Sequence, residues 1–124
     1  MKVLFFEDDF ESMKAFIEWF NLRFYKNSLQ ISILVKTDTK TDFASLLNEY
    51  DKIFVDIGLA KASVDDGYGI VSKFRVIKSD IERKVYVITA DKELANNKKS
   101  VELYGITILP KPLKLEDLKK AIRE

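Results

Sequence analysis

Short apolar runs alternate along this chain with segments of helical period, and that alternation limits the possible folds more than any other feature. Val3–Phe6, Ile31–Val35, Ile53–Val55, Val85–Ile88 and Ile106–Leu109 are rich in β-branched and aromatic residues and read as strands. Between them, Met13, Phe16, Ile17, Phe20 and Phe24 share one helical stripe, with Lys14, Glu18 and Asn21 turned away. Phe43, Leu46, Leu47 and Tyr50 repeat the spacing, as do Ile70, Val71, Phe74 and Ile77. Leu94 with Val101, then Leu115, Leu118 and Ile122, complete the set. Five strands alternating with five helices predict an α/β fold, a parallel sheet covered on both faces. The stripe of the first helix, with Trp19 beside it, is expected in the core.

Composition excludes several chemistries. With 124 residues, 47% of them apolar and 33% charged, the expectation is one domain over residues 1–124 with a core of its own. A net charge of +1 gives no nucleic-acid stripe. The chain has no cysteine, which removes disulfides and thiolate chemistry and suits the cytosol. It has no histidine either, so imidazole bases and His-ligated zinc are excluded. The opening Met1–Phe6 runs into Glu7-Asp8-Asp9, too short for a signal-peptide core. No apolar run reaches membrane-spanning length.

A doubly wound sheet binds its ligands outside the carboxyl ends of its strands. The first strand ends in Glu7-Asp8-Asp9, the third in Asp56, the fourth in Thr89-Ala90 and the fifth in Pro110-Lys111-Pro112. Singly, each has a plain explanation: an acid or a threonine after a strand is usually the N-cap of the next helix. Together they would place carboxylates, a hydroxyl and one cation on one sheet edge. Crowded carboxylates raise one another's pKa or demand a cation, and oxygen ligands without His or Cys point to Mg²⁺ or a similar hard ion.

These residues carry a resemblance. Glu7-Asp8-Asp9, Asp56, Thr89-Ala90 and Lys111-Pro112 together resemble the response-regulator receiver family of two-component signalling, and the similarity spans the whole chain. The Thr89-to-Lys111 separation fits as well. The resemblance implies a flavodoxin-like sheet of order 2-1-3-4-5 with five helices. It implies that Asp56 accepts a phosphoryl group from a histidine kinase or phosphotransfer protein, and that Mg²⁺ is held by the acid cluster, Asp56 and the Gly58 carbonyl. Thr89 and Lys111 would each contact a phosphoryl oxygen, and the Lys111–Pro112 bond would be cis. The surface of the fourth helix, fifth strand and fifth helix would then switch toward a downstream protein target. Such a domain is a signalling device and not a turnover enzyme.

Two readings of the acid cluster stay open. The strand run Lys2–Phe6 makes Glu7 and Asp8 the metal pair, whereas the helical stripe from Met13 favours Asp8 and Asp9. Three positions depart from the family pattern. The fourth residue after Asp56 is Ala60 where the family commonly has Pro. Asp66-Gly67 follows late, after Lys61-Ala62-Ser63-Val64-Asp65, and Ile108 stands where an aromatic is usual. Two other classes compete: a phosphorylation-independent pseudo-receiver, and an aspartyl-nucleophile phosphatase. The first usually lacks the Asp, the Lys or the acid pair. The second needs Asp-x-Asp, which Asp56-Ile57-Gly58 does not supply.

Overall fold

A computed structural model of the chain describes residues 1–59, 63–97 and 103–123. Their element order is β1 (Lys2–Phe6), α1 (Glu11–Tyr25), β2 (Gln30–Leu34), α2 (Phe43–Glu49), β3 (Lys52–Asp56), α3 (Gly67–Ile77), β4 (Val85–Thr89), α4 (Lys92–Asn97), β5 (Thr107–Pro110) and α5 (Leu115–Arg123). The five strands form one sheet in the order β2-β1-β3-β4-β5, with every neighbouring pair parallel. Both the strand order and the five helices agree with the expected architecture. Ala60, Lys61, Ala62 and Val101 lie outside the described residues.

Successive strand side chains point to opposite faces, so each strand feeds two cores. Leu4, Phe6, Ile53, Val55, Val85, Val87 and Ile108 pack with Phe43 and Leu47 of α2 and with Ile70, Val71 and Phe74 of α3. Val3, Phe5, Phe54, Tyr86, Ile88 and Leu109 pack with Met13, Ile17 and Phe20 of α1 and with Leu118, Ala121 and Ile122 of α5. On this second face Phe5 stacks on Phe54 at 4.9 Å and Phe54 on Tyr86 at 5.4 Å. The parallel register puts those three residues side by side.

Several expectations need correction. Val35 lies beyond the end of β2 and is 53% exposed. Trp19 is 45% exposed rather than in the core, and Phe24 and Ile77 are also exposed. For Trp19 the reason is angular: Met13, Ile17 and Phe20 point at the sheet, and Trp19 stands about 100° around the helix from Phe20. Asn21 does not simply face solvent, because its side chain donates to the Leu29 carbonyl and accepts from the Leu29 N–H, both at 3.0 Å. It fastens the turn into β2. No helix among the described residues is long and apolar enough to cross a membrane.

Candidate functional site

The parallel sheet ends its strands together, and four of those ends converge. Glu7 follows β1, is fully buried and donates its backbone N–H to the Leu34 carbonyl at 3.0 Å. Asp56 is the last residue of the central strand β3 and is buried, as is Thr89 at the end of β4. Lys111 follows β5, and its backbone N–H donates to the Thr89 carbonyl at 2.7 Å. Its ammonium reaches back across the sheet edge to Glu7 Oε1 at 2.6 Å and Asp56 Oδ2 at 3.5 Å. Carboxylate oxygens of Glu7, Asp8 and Asp56 all lie within 4.8 Å of one another. Gly58 donates its N–H to Asp56 Oδ1 at 3.1 Å. The Lys111–Pro112 bond is cis.

Capping does not account for these residues. The N-cap position of α1 is Phe10, without a side-chain cap, so none of Glu7, Asp8 and Asp9 serves there. Asp66 caps α3, accepting from Gly69 N–H at 2.8 Å, which leaves Asp56 no such duty. At α4 the Asp91 carboxylate takes the Glu93 and Leu94 N–H groups, and the Thr89 hydroxyl accepts from the Asp91 N–H at 3.0 Å. Asp9 is exposed and stands outside the carboxylate group, its carbonyl accepting from Ser12. The grouping follows the strand-based reading, Glu7 with Asp8.

No family model matches the chain, and neither does any curated protein. Solved structures do. The signal receiver domain of a DNA-binding response regulator from Colwellia psychrerythraea superposes with a TM-score of 0.71 at 20% identity, over 99% of this chain and 95% of that one. The chain has the receiver fold. The receiver domain of a sensor histidine kinase from Pseudomonas aeruginosa, described with a magnesium ion in its active-site cleft, gives 0.65 at 20% identity over 98% and 93%. Chemotaxis protein CheY4 of Vibrio cholerae gives 0.66 at 20% identity over 98% and 95%.

Within this receiver fold, two site-supporting features escaped the sequence reading. Thr37, in the β2–α2 connection, is buried and clasps the late part of the long loop after Asp56. Its N–H donates to Ser63 Oγ at 2.8 Å, its carbonyl accepts from Val64, and its hydroxyl meets Ser63, the Asp65 carboxylate and the Asp65 N–H. Lys73 of α3 joins the same Asp65 carboxylate at 2.9 Å. The second feature is Gly67, the first residue of α3. A Cβ there would lie 2.7 Å from the Asp56 carbonyl oxygen and closer still to Ile57 Cα. The long loop after Asp56 reads in sequence as a tolerated surface insertion, and no local signal names Thr37.

The electrostatics of this site give a first prediction. Burial pushes the Glu7 carboxyl up to about 7, the neighbouring Asp56 carboxylate adds to this, and Lys111 opposes it. Burial also works against the charge on Lys111, but Glu7 and then Asp56 outweigh it and hold that pKa above its ordinary value. A carboxyl raised from 4.5 to about 7 on folding contributes stability that is full below pH 4.5 and lost as pH rises through 7. No histidine competes in that window. Metal-free protein is expected to lose on the order of 2 kcal/mol between about pH 5 and 8, and Glu7→Gln to flatten the profile. Urea unfolding across that range tests it; equal slopes for both proteins would mean that Glu7 is ionised throughout.

Proposed function

We propose that the chain is a phospho-receiver of two-component signalling, in which Asp56 accepts a phosphoryl group from a histidine kinase or phosphotransfer protein in the cytoplasm. One observation carries this reading. Asp56 ends the central strand, caps no helix, and meets both an ammonium and two further carboxylates.

A divalent cation fits the residues present. Glu7 Oε2 is buried without a hydrogen-bond partner, beside carboxylate oxygens of Asp8 and Asp56, and this all-oxygen donor set suits Mg²⁺. Glu7, Asp8, Asp56 and the Gly58 carbonyl would hold the ion; Asp9 is the alternative donor if the helix-based register holds. When bound, Mg²⁺ supplies charge neutralisation to the acceptor oxygen and the incoming phosphoryl group.

The chain's own groups do the rest. An Asp56 oxygen forms the O–P bond as the P–N bond to the donor histidine breaks and the imidazole departs. This chemistry asks mainly for positioning and charge stabilisation. The Lys111 ammonium, already beside Asp56, partners a phosphoryl oxygen. At ~4 Å and an effective dielectric of about 20 that attraction is on the order of 4 kcal/mol before desolvation. The Thr89 hydroxyl accepts from the Asp91 N–H, so its own proton is free to donate to another phosphoryl oxygen. Water reverses the mark, which makes the domain a signalling device and not a turnover enzyme.

We further propose that the α4–β5–α5 surface reports the mark to a downstream protein. Ile108 is buried in the sheet core and stiff at χ1; it fills space under the strand but cannot present or hide a phenol. The coupling is therefore expected near 1 kcal/mol, the low end of the usual span.

Incubation with acetyl phosphate and Mg²⁺, followed by intact mass, tests the reading. One labile phosphate per chain is expected, and chelation should abolish it. No phosphate would favour a phosphorylation-independent interaction module. Continuous release of phosphate from esters would favour a turnover enzyme.

A further inference from the structure

A second surface of this molecule has the makings of a binding site. It runs along α1 from Phe16 to the helix's end, where Phe24 lies about 20 Å along that helix from its first residue. Phe16 stacks on Trp19 with centroids 6.1 Å apart, Trp19 meets Phe24 edge-on at 5.8 Å, and Phe24 leans on Phe20 at 5.3 Å. Trp19 is 45% exposed and Phe24 37%. Two large aromatic side chains exposed on neighbouring turns, with their rings in contact, mark an interaction surface rather than scattered surface residues. Between α1 and α5 runs a groove of about 200 Å³ lined by Phe20, Phe24, Tyr25, Lys119 and Arg123.

The charges that line the groove have one sign. The Lys119 ammonium stands 4.9 Å from the centre of the Phe24 ring and the Arg23 guanidinium 5.5 Å, while Arg123 lines the groove. Among the described residues, Arg23, Lys119 and Arg123 have no carboxylate partner. Three uncompensated cations around an aromatic groove form the complement of an apolar anchor flanked by acids.

We propose that this face docks an acidic amphipathic helix of a partner protein, its apolar side chains entering the groove and its carboxylates meeting Arg23, Lys119 and Arg123. Helix-in-groove recognition reads apolar anchors at helical spacing, and a concave aromatic pocket suits a single buried anchor. A second copy of this chain is a poorer occupant. Two-fold pairing sets the same patch against itself, bringing cations against cations. A bilayer is poorer too, since interfacial binding lays an apolar face flat among headgroups and leaves a groove unfilled. The proposal is independent of any chemistry at Asp56.

Trp19 is the only tryptophan in the chain, so its emission reports occupancy of the face directly. Two tryptophan-free amphipathic helical peptides with the same leucine stripe, one with a glutamate face and one with a lysine face, are titrated into the full chain. The glutamate peptide is expected to blue-shift Trp19 emission at concentrations roughly ten-fold lower than the lysine peptide, and the gap to close as salt is added. Lys119→Glu together with Arg123→Glu should reverse that preference, and Phe24→Glu should weaken both peptides, with circular dichroism unchanged. Equal response to the two peptides, or response to neither, overturns the proposal. A concentration-dependent shift without peptide, with dimer in sedimentation, would make a second copy the occupant. A shift with phosphatidylglycerol vesicles but not with the acidic peptide would make it a lipid surface.

Discussion

Asp56→Asn is expected to abolish phosphate incorporation from acetyl phosphate, from one equivalent per chain to none, while the fold stays intact. An amide is not a competent nucleophile toward phosphorus, yet Asn keeps the shape of Asp and an oxygen for the Gly58 N–H, now 3.1 Å from Asp56 Oδ1. The substitution also removes one of three crowded carboxylates. Relief of like-charge repulsion should offset the lost contact with Lys111, now at 3.5 Å, and leave stability within about 1 kcal/mol. Intact mass and urea unfolding of the variant check both halves. A mass shift that persists would move the acceptor to another residue.

The second large effect is expected at Gly67. A methyl group there has no room: it meets Ile57 Cα and, at 2.7 Å, the Asp56 carbonyl oxygen. Both are backbone atoms at the end of the central strand, so neither can swing aside as a flexible side chain would. Gly67→Ala should destabilise the fold by about 3 kcal/mol, the upper part of the usual range for overpacking. It should also disturb the phosphoryl site, because the start of α3 rests on the residue that carries the acceptor carboxylate. Chemical denaturation measures the loss, and labelling of the folded fraction measures the disturbance. Tolerance within about 0.5 kcal/mol would mean that α3 can slide off the strand at little cost.

Most of the sheet could be read from the chain because strands buried on both faces leave short continuous apolar runs. Val3 and Phe5 serve one core and Leu4 and Phe6 the other, so the strand run fixes which residue comes next at the edge. Glu7 follows that run directly and is buried with it, while Asp9, two residues farther from the strand, is exposed. Asp56, Thr89 and Lys111 were legible for a related reason: each closes or follows a strand, and in a parallel sheet such ends meet. The helix faces were less legible. Phe24 shares the arc of Met13, Ile17 and Phe20 on α1, but it stands in the last turn of the helix and is exposed while they are buried. Thr37 left no trace at all, since its partners Ser63 and Asp65 lie 26 and 28 residues away. Gly67 is similar. Glycine at a helix start is ordinary in sequence, and its necessity appears only when the backbone of Asp56 and Ile57 is seen against it.

The most direct measurement is chemical trapping of the mark. After incubation with acetyl phosphate and Mg²⁺, borohydride reduces an acyl phosphate side chain to the alcohol, and peptide mass spectrometry locates the reduced residue. Reduction at Asp56 alone, lost when Mg²⁺ is chelated beforehand, is the expected result. Reduction at Glu7, Asp8 or Asp9, or a phosphate that survives borohydride as a stable ester on Thr89, would contradict the assignment of Asp56 as the phosphoryl acceptor.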